Sequence, residues 1–158
     1  MAQPPVIYAD VCCLNRPLDD LQQSRISLEA EAVISILQKC QEGEWVLLNS
    51  DAIEFEISRN PDPLKKEQLE SILSVAAYQI PSSEAIELRA EELRALGFKL
   101  YDALHLALAE VGGADVFLTT DDRLLRKAQQ YRNLIPVTVE NPVIWLMATL
   151  QEDGNEIS

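Results

Sequence analysis

Tyr101 to Asp122, YDALHLALAEVGGADVFLTTDD, is the stretch whose reading decides the fold. It opens with Asp102 at the head of a nearly all-apolar run of helical length. Gly112-Gly113 breaks that run, because glycine is a poor helix former and a ready turn residue. Val116-Phe117-Leu118 then reads as a short buried strand running straight into Thr119-Thr120-Asp121-Asp122. Helix, reversal and strand in succession belong to a sheet covered by helices. Carboxylates at both ends of so apolar a unit are costly unless they are paired or hold a cation. Asp102 and Asp121 are therefore candidate ligands of a divalent metal.

Outward from this stretch the same alternation continues. Val6-Ile7-Tyr8-Ala9 reads as strand one, ending at Asp10, and Asn15 to Asp20 as loop. A helix is expected from about Ser27 to Cys40, strand two at Trp45 to Leu48, and a short helix capped by Ser50 or Asp51. Further helices are expected from Lys65 to about Leu73, from Glu84 to Leu96 after a cap at Ser82 or Ser83, and from Arg123 to Tyr131. Ala76 to Ile80 and Ile135 to Val139 complete five strands, and Asn141-Pro142 starts a last helix. The strands are short and apolar on both faces, as in a parallel sheet covered on each side. The fold class is α/β, one domain over residues 1–150 with a frayed acidic tail over 151–158.

The composition narrows the function. With 47% apolar and 25% charged residues the chain is globular rather than disordered. No apolar run nears the ~20 residues needed to span a bilayer, and no basic leader precedes one, so a soluble cytoplasmic protein is expected. Three cysteines without CxxC spacing and a single histidine argue against a zinc site or a disulfide framework. Phosphate-loop and dinucleotide-binding glycine patterns are missing. A net charge of −13 means that nucleic acid, if bound, is attracted by metal ions and a few local Arg or Lys residues. The same charge also suits a basic protein partner.

Ligands of an open parallel sheet bind beyond the carboxyl ends of its strands. Asp10 ends strand one there, and Asp121, in competition with Asp122, follows strand four. Crossover helices run antiparallel to the strands, so Asp102 in a first helical turn reaches the same edge. An acid of the helix after strand two also reaches it. That acid is Glu54 or Glu56, and as the two lie about 200° apart on a helix only one can face the site. Four carboxylates from four segments repel one another unless protonated or held by a cation. An oxygen-only, histidine-poor set suits Mg²⁺ or Mn²⁺.

Asp10 at a strand end, Glu56 six residues after Ser50, the helix start Asp102-Ala103-Leu104-His105, and Thr119-Thr120-Asp121 together resemble the PIN-domain ribonucleases. The VapC-type toxins of prokaryotic toxin–antitoxin pairs are the nearest class. The resemblance spans roughly Val6 to Trp145. It implies a three-layer α/β/α domain and a Mg²⁺- or Mn²⁺-dependent endoribonuclease with Asp10, Glu56, Asp102 and Asp121 as its catalytic, metal-holding acids. It also implies an antitoxin partner and a homodimer. Relatives follow the first aspartate with Thr and then Ser or Asn, where this chain has Val11 and Cys12. A hydrogen-bonding group beside the metal is thus missing or replaced, with Asn15 as a candidate substitute. That departure sustains a second reading, a catalytically weak PIN-like binding or scaffold module. An aspartate-nucleophile phosphatase is disfavoured because it wants a second aspartate where Cys12 stands.

Other residues have plainer expectations. His105 is read as a satisfied buried histidine, and Trp45 and Trp145 as core or interface residues. Asp122 is read as a helix cap or auxiliary ligand. Arg16 and Arg25 either contact phosphates or the antitoxin, or form surface ion pairs with Asp19 or Asp20.

Overall fold

A computed structural model of the chain describes residues 3–157, with side chains through residue 154. Five strands, β1 (Val6–Ala9), β2 (Val46–Ser50), β3 (Tyr78–Ile80), β4 (Val116–Leu118) and β5 (Thr138–Glu140), form one sheet. Their order is β3-β2-β1-β4-β5, and every neighbouring pair is parallel. Tyr8 lies beside Phe117 and Ala9 beside Leu118 in the register of the two central strands. The strands turn outward in opposite directions from β1, so the crevice between β1 and β4 at their carboxyl ends is the topological switch point.

Helices cover both faces, giving the three-layer α/β/α arrangement. They are α1 (Val11–Asn15), α2 (Ser24–Gln41), α3 (Asp51–Ser58), α4 (Pro63–Leu73), α5 (Glu84–Ala95), α6 (Leu100–Val111), α7 (Asp122–Gln130) and α8 (Pro142–Ile157). Side-chain caps decide several of their starts. The Ser50 hydroxyl accepts from the Ile53 amide, Ser83 from Ile86, Asp62 from Leu64, and Asn141 from Val143. The central strands are buried along nearly their whole length, whereas the edge strand β3 is exposed at two of its three residues and β5 is only half-buried. One apolar core runs through the sheet, with Tyr8 stacked on Phe117 at 5.3 Å between ring centres. Trp45 and Trp145 meet edge to face at 5.0 Å and join this core from β2's approach and from α8.

Several boundaries differ from expectation. Helix α2 starts at Ser24 rather than about Ser27, β2 is Val46–Ser50 rather than Trp45 to Leu48, and β3 starts at Tyr78 rather than Ala76. Four more differences have local causes. The loop expected over Asn15 to Asp20 is preceded by α1 and begins as a 3-10 turn, Arg16–Leu18. Asp10 caps that helix and Cys13 and Leu14 anchor it in the core, which overrides the poor helix propensity of Val11 and Cys12. Pro63 occupies the first turn of α4, so that helix starts two residues before Lys65. The fifth strand is Thr138–Glu140 rather than Ile135 to Val139, because Pro136 lacks the amide a ladder needs. Ile135 and Val137 are buried all the same. Finally, α8 continues through residues 151–157, where a frayed tail was expected; Ser158 lies outside the described residues.

Candidate active site

Asp10 is buried at the end of β1, and its backbone amide donates to the Leu118 carbonyl at 3.1 Å, tying it to the end of β4. Its Oδ1 accepts from the Cys13 amide and from the Cys12 thiol, both at 3.0 Å. Burial raises its pKa; the Cys12 thiol, the Thr119 hydroxyl and the Cys13 amide act in the opposite direction. Asp102, in the first turn of α6, is pushed up to about 6, first by burial and then by the charges of Asp10 and Asp121. Asp102 thus feels the charges of aspartates from two other segments. Asp102 and Asp121 also line a common cavity of about 130 Å³.

Asp121, and not Asp122, caps α7. Its Oδ1 accepts from the Arg123 and Leu124 amides at 2.9 and 3.4 Å, leaving Oδ2 without a hydrogen bond among the described residues. Asp122 instead takes a two-pronged pair from Arg25, with both contacts at 2.7 Å. The expectation of a cap or auxiliary ligand at Asp122 is therefore corrected: the chain bends into α7 one residue earlier, and Arg25 claims the carboxylate.

Glu56 and Glu54 are separated by their partners. Asn49 donates to Glu54 at 2.6 Å, whereas Glu56 meets Nε2 of His105 at 2.5 Å. His105 is 2% exposed, and its other nitrogen meets the Tyr8 hydroxyl, which in turn meets the Ser50 hydroxyl at 2.7 Å. A satisfied histidine is what the residue is. It also links Glu56 to the buried polar chain beneath Asp10, so Glu56 stands on the site side of α3 but is held by an imidazole rather than by the aspartates. Among the described residues, no three His, Cys, Asp or Glu side chains stand close enough to form a ready-made metal-holding group. The aspartates converge without closing round a common centre.

Cys12 fills the place where a hydroxyl or amide was missed. The residue is at the surface, but its Sγ turns inward, donating to Asp10 and lying 3.6 Å from the Thr119 hydroxyl, while the Thr120 hydroxyl donates to it at 3.3 Å. Burial beside Asp10 pushes the thiol up to about 12, so it is a neutral donor and not a nucleophile. Asn15, expected to substitute here, donates to Asp19 at 2.8 Å instead.

Arg16 and Arg25 are occupied as well. Arg16 pairs with Asp19 at 3.0 Å, as one alternative had it, and with Glu29 at 2.8 Å. Arg25 reaches Glu29 at 3.3 Å besides Asp122. Glu29 is a buried carboxylate that sequence reasoning missed; it also accepts from Asn141 at 2.7 Å, locking α2 to the start of α8. Its only sequence signal is an acid on the apolar face of a helix.

Fold and donor set together define an α/β domain with an acidic site at the switch point of its sheet. A family model described as PIN domain matches residues 7–130, and the chain belongs to that family, whose members are nucleases. Among solved structures it is similar to a crystal structure of VapBC2 from Rickettsia felis bound to a DNA fragment from their promoter. The TM-score is 0.53 at 11% identity, over 86% of this chain and 98% of that one. Among curated proteins nothing matches. No helix of the described residues is long and apolar enough to cross a membrane.

Proposed function

We propose that the chain is a Mg²⁺- or Mn²⁺-dependent endoribonuclease acting in the cytoplasm as the toxin of a toxin–antitoxin pair. The observation that carries this is geometric: Asp10 ends β1, Asp102 lies in the first turn of α6, Asp121 follows β4, and Asp102 and Asp121 line one cavity. The donor chemistry fits a hard divalent ion: all oxygens, with both Asp102 oxygens and Asp121 Oδ2 free of hydrogen bonds among the described residues. Asp10, Asp102 and Asp121 would hold the ion, and Glu56 would join them on release from His105. Such an ion supplies charge neutralisation at a phosphoryl group and an acidified water.

The chain's own contribution is orientation. Helix α1 fixes Asp10 through its cap, α7 fixes Asp121 through its own, and the Tyr8–His105–Glu56 chain holds Glu56 against α6. Water attacks phosphorus, the P–O bond to the leaving ribose oxygen breaks, and that oxygen takes up a proton. No covalent enzyme intermediate is needed.

The likeness to the VapBC2 structure supports the toxin reading at the level of fold, and an antitoxin is the protein partner it calls for. A cavity of about 540 Å³ between α2, α7 and α8, flanked by exposed Leu28 and Ile144, offers such a partner an apolar surface on an acidic molecule. A homodimer belongs to the same reading. Induced expression of the chain should arrest growth, and Asp102→Asn should relieve the arrest. Unimpeded growth at a verified protein level, with purified RNA left intact, would favour the binding-module reading instead.

A further inference from the structure

Half as many basic as acidic residues, 13 against 26, leave this chain few cations to spend on an RNA backbone. The structure shows where several are already committed. Arg16, Arg25, Lys39 and Arg89 are all in ion pairs with carboxylates of the same molecule. Three others gather on the wall of the cavity that holds Asp102 and Asp121: Lys99, Arg123 and Lys127. None of them has an ion-pair partner among the described residues.

Their placement follows from the elements. Lys99 is the residue before α6, three ahead of Asp102, and Arg123 and Lys127 share a face of α7 one turn apart. Lys127 Nζ lies over Gly97, only 2.6 Å from where a Cβ on that residue would stand, and 6.0 Å from the centre of the Phe98 ring. The bare backbone at Gly97 lets the ammonium sit on the cavity wall, while Leu124 and Phe98 form its buried floor. Three unpaired cations beside two carboxylates, in a molecule of net charge −13, are not accounted for by internal pairing.

We propose that Lys99, Arg123 and Lys127 form a phosphate-binding wall that receives the backbone of single-stranded RNA next to the phosphodiester facing Asp102 and Asp121. This rests on the nuclease reading and names the residues by which an acidic protein holds a polyanion. Arg123 offers a forked donor set to phosphate oxygens, and the two lysines offer point charges. The phosphate contact considered for Arg16 and Arg25, which are held in ion pairs, falls instead to these three residues.

The test is binding of a fluorescent single-stranded RNA by anisotropy, in Mg²⁺ and in an Asp10→Asn background that prevents cleavage. Lys99→Gln/Arg123→Gln/Lys127→Gln should weaken binding at least about tenfold and lower the slope of log K against log salt by about 2, at roughly 0.7 per lost contact. A charge-matched control, Lys39→Gln/Lys66→Gln/Arg132→Gln, should keep the parent slope and circular dichroism should report both as folded. Equal losses in the two triples, or an unchanged slope in the first, would overturn the proposal. Cleavage by the parent chain is scored separately: RNA that binds through this wall but is never cut keeps the wall and removes the nuclease reading, whereas an unbound RNA removes both.

Discussion

Cys12 carries more of the site than its chemistry suggests. A thiol is a weak donor, yet here it is one of two groups on Asp10 Oδ1, and it is tied to Thr119 and Thr120 just past the end of β4. Partners of this kind orient a ligating carboxylate, and losing one typically costs about 10–100-fold in metal affinity. Cys12→Ala should therefore weaken Mn²⁺ binding about tenfold in calorimetric titration, while Cys12→Ser, which keeps a donor, should stay close to the parent. Equal affinities for Ala and parent would show that the thiol is incidental. This role could not be read from the residue type, since the sequence marks Cys12 only as the residue standing where a hydroxyl was wanted. Asp10, Asp102 and Asp121 were legible because strand ends and helix starts fix which edge of a parallel sheet a residue meets. The pairing of Glu56 with His105 was not, since a helical wheel gives a direction and not a partner.

The α6–β4 reversal divides its demands between two glycines. Gly113 has φ +72° with open space around it, so its need is conformational. Gly112 is ordinary in φ, but a Cβ there would meet Ile80 Cδ1 at 2.3 Å and Leu48 Cδ1 at 3.0 Å, so its need is room. Gly113→Ala should cost about 1–2 kcal/mol from the left-handed backbone alone. Gly112→Ala should cost about 1–3 kcal/mol through overpacking, and trimming the neighbour with Ile80→Val should recover part of it. Urea unfolding of the two variants and the double checks this; a double variant no better than the sum of its parts would refute the steric account. The turn itself was legible as Gly-Gly between two apolar runs, and which glycine did what was not. The start of α1 was hidden for a related reason: its stability comes from a cap and two core contacts, and not from helix propensity.

For the whole molecule, the acidic edge makes stability depend on pH and on cations. Asp102 has a pKa of about 6 in the folded chain and about 3.9 unfolded. The folded state thus holds this proton more tightly, so its contribution is full below about pH 4 and is lost as pH rises through 6. The rise at Asp10 adds in the same direction. In chelator, the parent should lose Tm between pH 5 and pH 8 relative to Asp102→Asn, and superimposable curves would contradict the coupling. At pH 8, Mg²⁺ or Mn²⁺ at about 100 times its Kd should restore about 2.7 kcal/mol, or about 5–10 °C for a chain of this size. Asp102→Asn should gain much less.

On the proposed reading, Asp10, Asp102 and Asp121 cleave RNA with a divalent ion. The most direct test of that reading is incubation of the purified chain with mixed RNA in Mg²⁺ or Mn²⁺, with and without excess chelator, beside Asp10→Asn and Asp121→Asn. Asparagine preserves both helix caps, so these variants should stay folded. Cleavage by the parent that chelator abolishes and each variant loses is the predicted result. Cleavage that survives the chelator, or that persists in both variants, would contradict it.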